Sequence, residues 1–259
     1  MKISATIITL NEEHNIKECI DSLIDIADEI IVVDSYSTDN TERTCNSFDK
    51  LKFYKNHFEG HIQQKNFAVS QASYDFILSL DADERLSDNL INELKDIKIK
   101  NVAISSAYSM PRLNNYCGKW IRYSGWYPDR KIRLWDKRIG KWGGDNPHDH
   151  VVLDKSALKI KLFSDILHYT TPSIKAHVEQ TNKFSEIAAL ALFKSERKVA
   201  VNFKILCDPF YTFFKVYFLR LGFLDGFYGL VIAVVSAHEK FLKFAKLKQL
   251  KLKHESSSP

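Results

Sequence analysis

The chain has 259 residues, of which 45% are hydrophobic and 27% are charged, and its formal net charge is +5. This length fits one large domain or one domain with an appendage, and the composition is ordinary for a globular protein. The modest positive charge is compatible with anionic substrates or lipid head groups. It does not require nucleic acid, which we do not expect as a partner.

The cysteines and the first residues bear on the cellular compartment. Cys19, Cys45, Cys117 and Cys207 form no CxxC pair, which argues against a thiolate zinc site and predicts free thiols in a reducing environment. The sequence enters a strand-like segment directly after Met1, with no signal peptide. We therefore expect a cytoplasmic protein.

Strand and helix patterns alternate along the first hundred residues. Apolar runs predict strands over residues 3–10, 29–34, 51–55 and 76–80. Four helices are predicted in the same range. The first has Ile16, Ile20, Leu23 and Ile24 on a single face, and the second begins at a capping box of Asp39 and Glu42. The third covers residues 63–71, and the fourth is capped by Ser87 and carries Leu90, Ile91, Leu94 and Ile97. This alternation predicts an α/β fold built from parallel βαβ units.

The pattern changes in the second hundred residues. All four tryptophans lie between residues 103 and 152, together with five arginines. We predict a strand over 131–135, a turn over 136–140 and a helix over 173–194.

The C-terminal section, residues 208–253, is rich in Phe and Tyr. Its apolar run over 222–237 is shorter than the roughly 20 residues needed to span a bilayer. Lysines follow at positions 240, 243, 246, 248, 251 and 253. This pattern predicts a helix lying in the interface of an anionic membrane. The alternative is a packed helical hairpin with a solvated basic end, and residues 256–259 are predicted to be a disordered tail.

Polar side chains follow three of the predicted strands at the point where each strand ends. Thr9, Asn11 and Glu12 follow the first strand, Asp34 ends the second, and Asp81 follows the fourth. Ligands of parallel sheets bind at this edge. All nine glycines lie beyond residue 59, so there is no GxGxxG after the first strand, and no GxxxxGK[ST] occurs anywhere. This argues against a nicotinamide-dependent Rossmann enzyme and a P-loop NTPase.

An acidic cluster, Asp81-Ala82-Asp83-Glu84, directly follows the strand predicted over 76–80. Clustered carboxylates repel one another unless a cation or hydrogen-bond donors compensate. The pattern fits a divalent metal shared with phosphates. The structural alternative is a polar loop with Asp83 or Glu84 near the start of the next helix.

With these motifs the chain resembles, over nearly its whole length, the family 2 glycosyltransferases, which have a GT-A fold. Residues 7–13, IITLNEE, resemble the family's first strand and donor loop, and residues 31–41, IVVDSYSTDNT, resemble its second strand and nucleoside loop. Gln64-Lys65-Asn66, followed by LSLDADE at 78–84, resembles the approach to the metal motif. The most similar subgroup is the bacterial lipopolysaccharide-core β-1,4-glucosyltransferases.

The resemblance assigns the polar residues of these loops to the nucleotide-sugar donor and to a metal. Thr9, Asn11 and Glu12 would line the nucleoside pocket, Asp34 would contact the nucleoside, and Asp39 would read the base edge. Lys65 would stand near the base or the diphosphate, Asp81 would touch the ribose or approach the metal, and Ala82 would belong to the donor site. Asp83 and His168 would bind Mg²⁺ or Mn²⁺. For each loop residue, and above all for Asp39, the alternative is helix capping or turn formation.

The resemblance also extends to an acceptor segment at residues 126–135, WYPDRKIRLW. Aromatic rings would stack on sugars, and arginines would pair with acceptor phosphates in a forked geometry. The candidate acceptor-binding residues are Arg112, Trp126, Tyr127, Asp129, Arg130 and Arg133. The alternative is a wrapped aromatic mini-core.

Residues 146–151, NPHDHV, contain the candidate catalytic base. The subgroup has His-Glu before a hydrophobic pair at this position, whereas this chain has His148-Asp149, one methylene shorter. Asp149 would take the proton of the acceptor hydroxyl, and His148 and His150 are weaker candidates.

We therefore expect a GT-A-type α/β fold, a mixed and mainly parallel sheet flanked by helices, with a C-terminal helical appendage. The glycosyltransferase domain would span 1–200, with nucleotide-sugar binding in 1–100 and acceptor binding and catalysis in 101–200, and an amphipathic membrane-associated appendage would span 201–255.

The expected activity is metal-dependent, inverting transfer of a hexose, glucose by resemblance, from a UDP-sugar to a lipid-linked saccharide. By resemblance the acceptor is the lipopolysaccharide inner core, at the inner face of the cytoplasmic membrane. The alternatives are another glycolipid, a capsule or a protein as acceptor, and a non-catalytic nucleotide-sugar-binding protein.

Overall fold

A computed structural model describes residues 1–100, 105–145, 148–195 and 199–257. The chain forms two compact units. Unit 1 comprises Met1–Leu113 and Asp129–Tyr169, and unit 2 comprises Asn114–Pro128 and Thr170–Pro259. This division is discontinuous in sequence, whereas the boundaries predicted at residues 100 and 200 divide the chain linearly.

The first part of unit 1 is a parallel βαβ array. Its elements are β1 (Ile3–Thr9), α1 (Ile16–Asp21), β2 (Glu29–Asp34), α2 (Thr41–Cys45), β3 (Leu51–Lys55), α3 (His61–Ser70) and β4 (Phe76–Asp81). The strands lie in the order β3-β2-β1-β4, and all three neighbouring pairs are parallel. Because β1 and β2 are buried almost throughout, both faces of these strands are covered, as is typical of parallel sheets.

Antiparallel strands continue the sheet beyond β4. The remaining elements in chain order are β5 (Glu84–Leu86), α4 (Asp88–Lys100), β6 (Ser106–Tyr116), β7 (Lys119–Ile121), β8 (Asp129–Asp136), β9 (Gly140–Asp145), β10 (His148–Leu153), β11 (Leu158–Lys161) and β12 (Ile166–Thr171). The sheet order runs β4-β8-β6-β12-β5, and β9 and β10 form a separate hairpin. The predicted α/β class with a mixed sheet is confirmed, and the sheet's parallel core is β3-β2-β1-β4.

Most element predictions in the first hundred residues are confirmed, and two details are wrong. Ser87 Oγ accepts a hydrogen bond from Leu90 N at 3.3 Å, as a helix cap does. Ile24 is 46% exposed because α1 ends at Asp21, before its predicted apolar face is complete. The capping box of Asp39 with Glu42 does not form, since the residue before α2 is Asn40, whose side chain makes no capping hydrogen bond.

The core of unit 1 forms two apolar clusters. One includes Ile7, Ile20 and Leu78, and the other includes Ile77 and Trp135. Since successive side chains of a strand point to opposite faces, Ile77 and Leu78 of β4 belong to different clusters. Each fully buried aliphatic side chain contributes roughly 1.5–3 kcal/mol relative to exposure, so these clusters hold the strand ends, and the loops after them, in fixed positions.

Unit 2 contains a short hairpin and the C-terminal helices. The end of β6 pairs with β7, and the helices are α5 (Ile174–Lys194), α6 (Val201–Phe214) and α7 (Phe227–Ser257), with a π-helical turn at Lys215–Leu219 and a 3-10 turn at Gly222–Asp225. Within the described ranges, no helix is long and apolar enough to cross a membrane. The predicted tail at 256–259 begins inside α7, and residues 258–259 lie outside the described residues.

Candidate active site

The loops after β1 and β2 are joined by hydrogen bonds at the carboxyl edge of the parallel strands. Asn11 Oδ1 accepts from Thr38 N at 2.8 Å, and Ser37 Oγ accepts from Asn11 N at 2.8 Å. Glu12 N donates to Thr41 Oγ1 at 2.9 Å. The predicted donor residues Asn11 and Glu12 therefore lie beside the loop that carries Asp34 and Asp39.

Asp34 and Asp39 both shape the second loop. Asp34 is fully buried and accepts from Ser37 N at 2.8 Å. Asp39 Oδ1 accepts from Thr41 N at 3.0 Å, and Asp39 Oδ2 accepts from Glu13 N at 3.1 Å. Burial alone would raise the pKa of the Asp39 carboxyl, but the bonds from Thr41 and Glu13 outweigh burial and lower it. The turn-forming role weighed for Asp39 is present, and the same bonds link the two loops.

Thr9 supplies a polar group that the surrounding protein leaves unsatisfied. Its side chain is 5% exposed, and Thr9 Oγ1 has no hydrogen-bond partner within the described part of the chain. A buried hydroxyl without a partner is unfavourable by roughly 1–3 kcal/mol. Thr9 thus offers an unused polar atom at the strand end where the donor pocket is predicted.

Lys65 joins two carboxylates that are distant in sequence. Its ammonium nitrogen lies 2.9 Å from Asp81 Oδ1 and 2.8 Å from Asp149 Oδ2, and its side chain is only 4% exposed. The ring of Trp142 lies beneath the same ammonium, with 4.4 Å between the nitrogen and the ring centroid. The predicted base, the predicted donor-site lysine and the first acidic-loop aspartate therefore meet at one point.

Two arginines extend this ion-pair network. Arg133 Nη2 lies 2.8 Å from Asp81 Oδ2 and 2.6 Å from Glu84 Oε1. Arg112 Nη1 lies 3.1 Å from Glu84 Oε1, and Arg112 Nη2 lies 2.6 Å from Asp129 Oδ2. Charges of opposite sign alternate from Asp149 to Asp129, so the repulsion within the acidic cluster is compensated by protein cations.

The network fixes the ionised form of its carboxylates. Burial raises the pKa of the Asp81 carboxyl, but the charges of Lys65 and Arg133 outweigh burial and hold it well below its usual range. Burial also opposes ionisation of Glu84, and Arg133 and Arg112 bring its pKa below the ordinary value. Both groups are therefore anionic at neutral pH.

A carboxylate and an imidazole meet beside this network. Asp83 Oδ2 and His168 Nε2 lie 3.1 Å apart, because β12 pairs with β5 and places His168 opposite Glu84. Burial raises the pKa of the nearby Glu12 carboxyl, and the charge of Asp83 adds to the shift. Carboxylate oxygen and imidazole nitrogen both fit Mg²⁺ or Mn²⁺ as ligands. In residues 1–100, 105–145, 148–195 and 199–257, no three His, Cys, Asp or Glu side chains group as metal ligands, so phosphate and water would have to supply the rest.

The β9–β10 hairpin carries Asp149 and is attached to α3. Asn66 Nδ2 donates to Trp142 O at 3.0 Å, and Trp142 N donates to Asn66 Oδ1 at 3.1 Å. Asp149 lies opposite Gly144 in the hairpin and is 12% exposed. The motif Gln64-Lys65-Asn66 therefore positions the hairpin as well as the lysine. Asn146 and Pro147, which belong to the NPHDHV motif with Asp149, lie outside the described residues.

The two central arginines predicted to bind the acceptor lie in ion pairs within the protein. Arg133 is 3% exposed and already pairs with Asp81 and Glu84, and Arg112 pairs with Glu84 and Asp129. Their guanidinium groups therefore pair with protein carboxylates in this structure. The carboxylate of Asp129 is likewise paired, with Arg112 and with Lys131.

The other predicted acceptor residues have different surroundings. Arg130 is exposed and donates from Nη1 to Leu162 O at 2.9 Å, within unit 1. Trp126 and Tyr127 belong to unit 2, where Trp126 packs against Tyr116 with 5.7 Å between ring centroids. Trp126 thus forms part of an aromatic core, as the alternative interpretation requires. Ala82 packs in the apolar core of unit 1, so only its backbone is available to a donor.

Two residues of the site have roles that the sequence analysis missed. Glu84 is fully buried and anchors both arginines, and Trp142 stacks on Lys65. The role of Glu84 could have been inferred from the sequence, because Arg133 stands in an apolar strand and a buried arginine needs a carboxylate partner. No comparable signal marks Trp142, whose contact with Lys65 depends on the hairpin's position.

Comparison with known proteins shows the family of the chain. The family described as Glycosyl transferase family 2 matches residues 4–159. An uncharacterized glycosyltransferase of Rickettsia typhi is 35% identical over 97% of this chain and 88% of its own length.

The lipopolysaccharide core biosynthesis glycosyltransferase LpsC of Rhizobium meliloti is 29% identical over 96% of this chain and 93% of its own. The crystal structure of S. aureus TarS 1-349 in complex with UDP-GlcNAc aligns with 100% of this chain and 93% of its own, at 15% identity and a TM-score of 0.45. On the match over residues 4–159 and the relative at 35% identity, the chain belongs to glycosyl transferase family 2.

Proposed function

We propose that this glycosyltransferase transfers a hexose, glucose in the first instance, from a UDP-sugar to a lipid-linked saccharide with inversion at the anomeric carbon. The observation that carries the proposal is the meeting of Asp149 and Asp81 at Lys65, with 2.8 Å and 2.9 Å between the charged atoms. A candidate base thereby stands beside the acidic loop at the carboxyl edge of the parallel strands, where ligands of such sheets bind.

The donor side of the site supports a nucleoside diphosphate. The joined loops after β1 and β2 present Thr9, Asn11 and Asp39 as polar partners for the base and ribose. Lys65, which pairs with Asp81 of the acidic loop, is the candidate cation for the diphosphate. Asp83 and His168 would hold Mg²⁺ or Mn²⁺, which would neutralise charge on the leaving diphosphate.

Asp149 provides the proton acceptor in this proposal. As the acceptor oxygen forms its bond to the anomeric carbon, its proton moves to an Asp149 carboxylate oxygen, and the bond from that carbon to the phosphate oxygen breaks. UDP leaves from the opposite face, so the anomeric configuration inverts. Lys65 orients the carboxylate through their ion pair, and the transition state has oxocarbenium character.

The nature of the acceptor is inferred from similarity and from surface chemistry. LpsC, whose name places it in lipopolysaccharide core biosynthesis, is similar along nearly the whole chain. A lipid-linked core saccharide is therefore the acceptor we propose, with the enzyme acting peripherally at the inner face of the cytoplasmic membrane.

Product analysis by NMR tests this function. Purified protein is incubated with UDP-α-glucose, Mn²⁺ and a core-saccharide lipid, with UDP-α-galactose as the matched donor control. We expect a new β-glucosidic anomeric signal with stoichiometric release of UDP, and weaker transfer from the galactose donor. An α-linked product would overturn the inverting mechanism, and donor binding without any transfer would favour the non-catalytic alternative.

A further inference from the structure

An exposed apolar face runs along α6 in unit 2. Exposed fractions are 67% for Phe203, 66% for Leu206, 78% for Phe210, 51% for Phe214 and 47% for Phe218. Their spacing of three or four residues places them on one side of a helix. We call these five residues the aromatic face.

The aromatic face continues into the turns that follow α6. The rings of Phe214 and Phe218 lie 5.3 Å apart, and those of Tyr217 and Phe223 lie 6.3 Å apart. Phe223 and Leu224, in the 3-10 turn, are 44% and 51% exposed. The exposed apolar surface is therefore one extended patch, of a kind that soluble monomers rarely present without a partner.

The side of α6 that carries Val201 and Ile205 is packed, so the aromatic face is exposed on a helix that is held in place. Val201 and Ile205 pack against the cluster formed by Ala189, Phe244 and Leu247. Lys204 extends over the Phe244 ring, with 5.4 Å between its nitrogen and the centroid. The helix thus has a satisfied inner side and an apolar outer side.

The charges around the aromatic face are cationic. Residues 203–227, all of them described, contain two acidic groups. Asp208 pairs with Lys204 at 3.2 Å, and Asp225 is 3% exposed and accepts from Ser124 Oγ at 3.0 Å. Lys215 and the exposed Arg220 lie where the face passes into the turns. Residues 203–227 therefore combine aromatic side chains with cations and contain no unpaired exposed carboxylate.

We propose that the aromatic face docks into the interfacial layer of a bilayer that contains anionic lipids. Aromatic side chains enter this layer while lysine and arginine contact the head groups, which is how amphipathic surfaces bind membranes. A second copy that docked through the same face would bring the same cations and, within residues 203–227, no unpaired exposed carboxylate to pair with them. The proposal rests on the proposed function only insofar as a lipid-linked acceptor requires the enzyme at a membrane.

This surface lies within the predicted appendage at 201–255 but outside the apolar run and the lysines from which membrane binding was predicted. In the apolar run at 222–237, Ile232, Ala233 and Val235 are buried in unit 2. Of the lysines that follow, Lys246 donates to Asn182 Oδ1 at 2.7 Å. Part of the predicted membrane segment is therefore used for packing, whereas α6 has no buried residue.

Vesicle flotation tests the proposal without donor or acceptor. Full-length protein is mixed with phosphatidylcholine vesicles with or without phosphatidylglycerol, and binding is compared for wild type and for a Phe210→Ser, Phe214→Ser double variant. The matched control is Phe163→Ser, an aromatic residue of unit 1 that is 81% exposed. We expect binding to anionic vesicles, weakened at least about tenfold in the double variant and unchanged in the control.

Three results would overturn the proposal: no flotation of the wild type, wild-type affinity of the double variant, or equal weakening in the control. Dimerisation that the double variant abolishes, without vesicle binding, would assign the face to a second copy instead. Circular dichroism checks that the variants are folded, and transfer to a detergent-solubilised acceptor should be the same in wild type and double variant. Loss of vesicle binding with retained transfer would separate this surface from the active site.

Discussion

The ammonium group of Lys65 lies 2.8 Å from the carboxylate of Asp149, a residue 84 positions later in the chain. The lysine is 4% exposed and also pairs with Asp81. This one side chain from α3 therefore joins the hairpin that carries the proposed base to the acidic loop after β4.

Replacing Lys65 with methionine should destabilise the fold. The substitution keeps the length of the side chain but leaves Asp149 without its cation and removes one of the two cations beside Asp81. Removing one partner of a buried ion pair typically reduces stability by about 3–5 kcal/mol. We expect a loss of about 3 kcal/mol, because both carboxylates keep some solvent contact. Urea unfolding measures the change. The control is Lys55→Met, which removes an exposed ion pair with Glu42, itself 41% exposed, and should reduce stability by under about 1 kcal/mol. Equal effects of the two variants would contradict the prediction.

Stability should fall with acid, in part through Glu29. Burial would raise the pKa of this carboxyl, but bonds from Lys52, Ser4 and Ser73 lower it from 4.5 to about 2. A lowered pKa in the folded state means that the unfolded state binds the proton more readily. The contribution is therefore complete above about pH 4.5 and is lost as the pH falls toward 2.

The pH dependence of a Glu29→Gln variant checks this assignment. Urea unfolding between neutral and acidic pH should show a shallower loss of stability than in wild type, because one carboxylate no longer titrates. Glu59→Gln, at an exposed position, is the matched control. An unchanged slope in Glu29→Gln would show that other carboxylates account for the acid sensitivity.

Asp39 should contribute to donor affinity through the two loops that it joins. Asp39→Ala removes the acceptor for Thr41 N and Glu13 N, so the nucleoside loops should become less ordered. We expect about 1–2 kcal/mol of lost stability and roughly tenfold weaker UDP binding by calorimetry. Asp49→Ala, at an exposed position beyond α2, should change neither. If Asp39→Ala binds UDP as tightly as Asp49→Ala does, Asp39 forms the turn and does not contribute to donor affinity.

Asp83 and His168 should be required for metal-dependent donor binding. Asp83→Ala and His168→Ala should each abolish most of the gain in UDP affinity that Mn²⁺ provides, while affinity without metal changes little. Calorimetry with and without Mn²⁺ gives this readout independently of turnover. Asp96→Ala, at an exposed position on α4, serves as the control. If the Mn²⁺ gain survives in both site variants, the metal is held elsewhere or is not used.

The sequence was informative where local patterns determine structure. The strands at Glu29–Asp34 and Leu51–Lys55 and the helix at Ile174–Lys194 follow from apolar periodicity and from turn or cap residues beside them, all within a short window. The same patterns placed Asp34 and Asp81 at strand ends, because parallel strands share a carboxyl edge.

The ion-pair network could not be predicted in this way, since it depends on pairing between distant strands. Leu78 of β4 lies opposite Leu134 of β8, and this register brings Arg133 to Asp81. The sequence analysis had assigned Arg133, by resemblance, to an acceptor phosphate. The predicted appendage at 201–255 includes α6, but the membrane prediction was argued from the apolar run at 222–237 and the lysines after it, and only packing shows which aromatic residues of α6 are exposed.

The role of Asp149 as the base is tested most directly by single-turnover transfer in an Asp149→Asn variant, with UDP-sugar affinity measured in parallel. Asparagine keeps the shape of the side chain and removes its basicity, and a positioned base typically contributes about 10² to 10⁴-fold in rate. We predict a fall in transfer by about that factor with nearly unchanged donor affinity, and no effect in the control Asp154→Asn, an exposed carboxylate just after the same hairpin. Near-native transfer by Asp149→Asn, or a larger loss in His148→Gln or His150→Gln, would contradict the assignment.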